Sequence, residues 1–442
     1  MNDSLLLIVL IVLAFAGGTY VTRLAARYGM LSGAESLLVG VVIGPLGAGL
    51  LDGRALDQAQ LLMALLLGLV GFTTGTRARR LAPNPDAVVV GVATALAVAT
   101  GVALLALGWM YYFDPPTGDL RTLVWTLLDL GEVVFEVRCT PSQLEAAVAL
   151  GAAAAAASSQ VIESTSRMHG ARGPLSELLA GAAVTGEILA IVLLGLSLAG
   201  RRHFDVVDGP PLGITEWALL GMAVGVVCGM LFAWFSRDED DPNRIFVAAT
   251  GTVIFAAGVG QAIGLSPTFV NLLAGLTVAL ISPKAPKVCA ELERLHHPIT
   301  VLVMIFAGML LIVPTGPQWL LAAAYPLARW GLLRAALPAS SSLLLEKPVR
   351  AARMGNGMLA QGSLPVVIAV AFVVRVPEHA TTVLTSVLVA TVTSDLFSVR
   401  RLSDVLLDAG EIADTSGMSR GLPEDWSTPT GHSHAPVQEG NP

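Results

Sequence analysis

The chain has 442 residues, of which 54% are hydrophobic and 13% charged, with a net charge of −7 and a mean hydropathy of +0.71. Soluble domains carry about 25% charged residues, so roughly half the ordinary charge is missing. Soluble enzymes, basic nucleic-acid binders and disulfide-rich secreted domains are excluded together, which leaves an all-α integral membrane protein.

A helix needs about 20 mostly apolar residues to cross the hydrocarbon core. In chain order that length predicts spans over 5–22, 34–51, 59–75, 87–113, 144–162 and 175–199. Further spans follow over 213–235, 245–263, 265–281, 298–313, 317–338, 355–374 and 379–399, thirteen in all. No Lys or Arg precedes the first, so it lacks the basic leader of a cleaved signal peptide. The stretch 114–143 is too charged to span and is expected to form an extramembrane excursion with a short helix. Residues 1–400 thus make one membrane domain, and 401–442 an acidic cytoplasmic tail expected to be disordered. Cys139, Cys228 and Cys289 are scattered and odd in number, so they read as neither a disulfide framework nor a zinc site.

If the N-terminus faces outward, the cytoplasmic connections and the tail hold 18 of the 26 basic residues. The opposite side holds 6, and Arg329 and Arg334 fall inside a span. Cytoplasmic loops are the basic ones. The expectation is a multi-pass protein of the cell (inner) membrane, N-terminus outside and C-terminus cytoplasmic.

Ionisable residues at membrane depth mark candidate functional sites. Glu187 is the most central, with about ten apolar or small residues on each side. Arg329 lies mid-span in PQWLLAAAYPLARWGLLRAAL. A carboxylate and a guanidinium at similar depth are expected to pair, because neither is tolerated alone. Asp395, Glu163, Glu177 and Arg334 sit nearer span ends, where side chains reach the interface.

Two spans carry breaks. In AAVALGAAAAAASSQVIES a run of Ala gives way to Ser158, Ser159 and Gln160. In GNGMLAQGSLPVVIAVAF, Gln361, Gly362 and Ser363 precede Pro365, which removes an amide and frees carbonyls at membrane depth. Polar breaks at corresponding positions of two halves point to a transporter binding site; tight packing through small residues is the competing explanation. The Gly258, Gly260, Gly264 run has the wrong spacing for a dinucleotide loop and is expected to pack helices, as are Gly40 and Gly44. His296, His297, His432 and His434 show no partner for a metal, and no cofactor is expected.

Six stretches then resemble the membrane domain of monovalent cation:proton antiporters, of the potassium-efflux and sodium/proton exchanger type. LLVGVVIGPLGAGLL is similar to that family's second span, and LLMALLLGLVGFTTGTRARRL to its third. ASSQVIES resembles its unwound helix, AAVTGEILAIVLL the span that carries the ion-binding acid, and GLSPTFVNLLAGLTVAL a later segment. MLAQGSLPVVIAV resembles the other broken helix. The resemblance implies an inverted-repeat fold with two crossing broken helices, and a homodimer. It also implies that Glu187 binds ion and proton, with Ser158, Ser159, Gln160, Gln361 and Ser363 around it. Arg329 matches the family's basic residue and is expected to be a structural counter-charge. Gly186 stands where the family has Asn or Asp, so one ligand is missing, and the excursion at 114–143 is longer than usual.

The implied activity is secondary antiport of a monovalent cation (sodium or potassium) against protons, with no enzyme chemistry and no metal beyond the transported cation. Two other readings stay open on the same residues. One is a transport-inactive sensor or scaffold that kept the fold; the other is a sodium-coupled symporter of an organic anion.

Overall fold

The computed structural model describes residues 34–47, 53–81, 84–115, 121–124, 136–171, 173–205, 213–293, 295–345 and 353–412. The first expected span, 5–22, and the tail beyond 412 with His432 and His434 lie outside the described residues.

Every later span is met by helix. The first half runs α1 (Ala34–Ile43), α2 (Gly53–Arg77), α3 (Pro85–Phe113), α4 (Pro141–Ala155), α5 (Ser159–Met168), α6 (Pro174–Asp205) and α7 (Ile214–Phe235). The second runs α8 (Pro242–Ile263), α9 (Pro267–Ile281), α10 (Ala285–Glu293), α11 (His296–Met309), α12 (Gln318–Leu344), α13 (Leu364–Val373) and α14 (Ala380–Asp408). Among the described residues, seven helical segments are long and apolar enough to cross a membrane, α4 with α5 counting as one; α9, α11 and α13 are shorter apolar helices.

Their starts follow a local rule. Asn84–Pro85, Thr140–Pro141, Asp241–Pro242 and Ser266–Pro267 each place a polar cap before a proline. The cap oxygen takes an orphan amide of the first turn, and proline there has no amide to waste. At Thr140 the arrangement is a full capping box with Gln143.

The connections add elements that span length does not announce. In the excursion β1 (Arg121–Val124) pairs antiparallel with β2 (Glu136–Cys139), and the short helix expected in that stretch is not met among its described residues, residues 116–120 and 125–135 lying outside them. These short segments, with β-branched Thr122, Val124 and Val137, suit a ladder. The connection after α9, read as a basic loop, contains α10, which buries Ala285, Val288 and Leu292 along one face.

The glycine readings divide. Gly40 and Gly44 pack as expected, against Ile305 and Met309 of α11. In the Gly258 run Gly260 packs on Val270 and Pro267, whereas Gly258 faces open space. Gly264 ends α8 at φ 79°, with the Leu265 amide closing onto the Gly260 carbonyl at 2.8 Å. That is a glycine C-cap and not a packing motif.

Most of the helices fall into two groups. One is α2, α7, α8 and α9; the other is α3, α4 with α5, α6, α12, α13 and α14, while α1 packs on α11, and α10 on α2 and α8. In the first group α2 and α9 touch backbone to backbone, since a Cβ at Gly71 or Gly275 would run into the Thr268 or Phe72 carbonyl. The second group contains both breaks.

Candidate functional site

The first break spans Ala156 to Ser158, between α4 and α5. It is local chemistry. Ser158 turns extended (φ −77°, ψ 103°), and its Oγ accepts from the Val161 amide at 3.4 Å, so it caps α5 and does not continue α4. The second break lies between the 3-10 turn Met354–Met358 and α13. There Gly362 takes φ +63°, and a Cβ would press on Ser158, 2.9 Å from its Oγ. Only glycine satisfies both conditions at once. The breaks cross in contact: the Ser158 amide donates to the Ala360 carbonyl at 2.7 Å.

Crossing two broken helices brings four half-helix ends together, and each end meets a charge of the opposite sign. Arg329, 1% exposed on α12, serves both C-terminal ends. Its Nε donates to the Ala154 carbonyl at 2.9 Å and its Nη2 to Ala156 at 3.0 Å. On the other helix, Nη1 donates to Leu359 at 2.8 Å and Nη2 to Met358 at 3.2 Å. The expected Arg329–Glu187 pair is therefore replaced by a guanidinium shared among four carbonyls. The physical reason is that a helix C-terminus carries orphan carbonyls and the negative end of its dipole. Arg329 remains a counter-charge, but to backbone.

Carboxylates serve the N-terminal ends. Glu187 Oε1 on α6 accepts from the Ser159 amide, the first of α5, at 2.8 Å. Asp395 Oδ1 on α14 accepts from the Gln361 amide at 3.2 Å and the Gly362 amide at 3.4 Å, ahead of α13. Asp395 was expected to reach toward the interface; it turns instead to the second break. Glu163 meets the expectation, pairing with exposed Arg167 at 3.7 Å. Glu177 and Arg334 are exposed, and the Arg334 guanidinium lies 5.5 Å from the Trp330 ring centroid.

The partner of Glu187 is Arg77, the last residue of α2. Its Nη1 lies 3.6 Å from Glu187 Oε2, and both side chains are 4% exposed. Sequence reasoning counted Arg77 among loop cations. The available signal was its position: it is the first basic residue of GTRARR, directly after the apolar run. Arg79, two residues on, turns outward to cap α9, donating to the Ser282 carbonyl at 3.0 Å.

Of the residues the sequence singles out, Ser158, Ser159, Gln361 and Ser363 are buried at or beside the crossing. Gln160 lies in the first turn of α5 and is half-buried. Ser363 Oγ accepts from Thr300 of α11 at 3.4 Å. Gln361 Nε2 donates to the Ala153 carbonyl at 3.4 Å, which leaves its Oε1 buried without a hydrogen bond. Ser159 Oγ and Glu187 Oε2 are likewise buried and, among the described residues, make no hydrogen bond of ordinary geometry. Buried oxygens without donors are costly in a protein interior and are the donor type that a hard alkali cation takes. Gly186 adds no oxygen: its side-chain position lies 3.0 Å from the Ala155 carbonyl, so the glycine lets α6 close against the break.

A family model described as "Sodium/hydrogen exchanger, transmembrane" matches residues 8–400. Among curated proteins none matches the sequence. The fold is similar to a structure, at pH 8, of the sodium proton antiporter MjNhaP1 from Methanocaldococcus jannaschii, with a TM-score of 0.64 at 14% identity over 93% of this chain and 99% of that one. An electron-microscopy structure of the same antiporter gives 0.58 at 16% identity, over 92% and 95% of the two chains.

Proposed function

The chain belongs to the sodium/hydrogen exchanger family of transmembrane proteins, and from that premise we propose a secondary antiporter in which Glu187 alternately carries a monovalent cation and a proton. The observation that carries this reading is the Glu187 carboxylate at the N-terminus of a broken helix, 2.8 Å from the Ser159 amide, with its buried second oxygen 3.6 Å from the Arg77 guanidinium.

Three positive partners compete for that one carboxylate. With neither ligand bound, Arg77 holds it. A proton or a cation displaces the guanidinium, and each leaves the carboxylate neutralised. While paired, Arg77 on α2 and Glu187 on α6 tie the two helix groups together, and moving a bare charge through the low-dielectric core is costly, so only a site neutralised by proton or cation permits the groups to shift. Exchange follows without a nucleotide. Ser159 Oγ and Gln361 Oε1 are the neutral oxygens proposed to complete the cation's shell, and Ser158 and Gly362 to hold the crossing in shape.

Gly186 bears on the stoichiometry. With a single acid at the site, one cation replaces one proton and the cycle moves no net charge. Asp395 is proposed to keep one protonation state through the cycle, its Oδ1 accepting from the Gln361 and Gly362 amides. The test is exchange in vesicles under an imposed membrane potential. The rate should be the same at either polarity; a rate that follows the potential would mean a second carried proton.

Orientation and assembly belong to the proposal too. The distribution of basic residues supports an N-terminus outside and a C-terminus in the cytoplasm, and the family resemblance supports a homodimer in the cell (inner) membrane. In a background lacking the three native cysteines, Thr315→Cys and Asp238→Cys, both at exposed loop positions, report the topology. An impermeant thiol reagent should label Thr315→Cys on intact cells and Asp238→Cys only after lysis. The reverse pattern contradicts the assignment.

A further inference from the structure

Arg77 faces two carboxylates. Its Nη1 meets Glu187 at 3.6 Å, and its Nε lies 3.9 Å from Oε1 of Glu293, the last residue of α10. The two acids differ in setting: the Glu187 side chain is 4% exposed and that of Glu293 34%. The guanidinium therefore stands between a membrane-embedded acid and one open to solvent. Its Nε and Nη2 are buried and make no hydrogen bond among the described residues, and at 3.6 and 3.9 Å neither acid holds it through an ideal contact. Such a group can change partner with little loss.

The helix that presents Glu293 is itself held. Lys284 and Lys287, at its start, each lie 3.4 Å from Asp240 in the α7–α8 connection. Lys284 also donates to the Glu239 carbonyl. The two ammonium groups, Lys284 foremost, keep the Asp240 carboxyl below its ordinary range. Within α10, Cys289 Sγ lies 3.6 Å from Glu293 Oε1. Glu293 is thus presented to Arg77 by a clamped element and not by a free loop.

We propose that Glu293 is a positioning residue of the exchange site: it takes over the Arg77 guanidinium when cation or proton occupies Glu187, and so sets the apparent cation affinity. This rests on the reading of Glu187 given above. Without Glu293, displaced Arg77 loses that anionic partner, and a cation must work against a tighter Arg77–Glu187 pair.

Sodium-driven proton flux in reconstituted vesicles at fixed pH tests it. Glu293→Gln should raise the KM for sodium about threefold to fivefold, the span a part-exposed ion pair can account for, with a smaller change in maximal rate. In an Arg77→Gln background the same substitution should leave KM where that background puts it. A wild-type KM in Glu293→Gln overturns the proposal. So does an equal rise with and without Arg77, which would mean that Glu293 only attracts cations to the surface. If Arg77→Gln gives no folded protein, Glu293→Asp decides. It keeps the surface charge and shortens the reach by one methylene, so the hand-over predicts a partial rise in KM, and a wild-type KM refutes it. Wild-type protein in the same vesicles separates the two levels: no sodium-driven flux there would be a failure of the antiport reading, not of the hand-over.

Discussion

Glu187→Gln should express and fold like the wild type and carry no cation-dependent proton flux above protein-free vesicles. The amide matches the protonated acid in shape, and its carbonyl oxygen can still accept from the Ser159 amide, which the acid does at 2.8 Å. Folding is therefore spared, while both halves of the exchange are removed, since an amide neither binds a proton in the working range nor neutralises a cation. Arg77 loses its buried partner but retains Glu293 at 3.9 Å, which limits the cost of leaving a guanidinium unpaired. Glu187→Asp should keep part of the activity with weaker cation binding, because the carboxylate remains but retracts by a methylene from the Ser159 amide. Wild-type flux in Glu187→Gln would make the carboxylate structural.

Arg329→Ala should have the largest effect on folding. It strips four carbonyls of their donor, at Ala154, Ala156, Met358 and Leu359, in a place that is fully buried. Each unsatisfied buried group costs about 1–3 kcal/mol, so even with partial relaxation a loss of about 3–5 kcal/mol is expected. Folded yield by size exclusion and the midpoint of thermal unfolding in detergent should both fall sharply. Arg329→Lys should be intermediate, because an ammonium has three donors but no planar fork to span two helix ends. Normal yield and melting in Arg329→Ala would contradict the shared-cap role.

The helices were legible in sequence for plain reasons. Apolar length marks a span, and Asn84–Pro85 or Ser266–Pro267 marks where one begins. The breaks were legible too, because Ser158 and the Gly362–Pro365 pair are poor helix interiors wherever they occur. Pairing was not. A lone Glu187 and a lone Arg329 invite each other on charge alone, but charge cannot register that two helix ends, with their orphan carbonyls, are a more extended partner for a guanidinium. Arg77 was hidden for the opposite reason. It sits in a basic cluster whose neighbours are ordinary interfacial cations, and only the fold shows that α2 ends beside α6 and brings it to Glu187. Asp395 likewise looked interfacial by distance along its span, while the crossing of α13 behind it decides where it points. The strands at Arg121–Val124 and Glu136–Cys139 pair across a gap in sequence, a non-local contact that span counting does not address.

The most direct test of a single shared carboxylate is whether cation binding expels a proton. Purified protein in weakly buffered detergent solution, held at a pH where the site is largely protonated, should release about one proton for each sodium bound, since one group cannot hold both. Calorimetry in buffers of different ionisation enthalpy reads that number without any transport step. The expected result is release from the wild type and none from Glu187→Gln. Sodium binding without proton release, or release that persists in Glu187→Gln, would contradict the account.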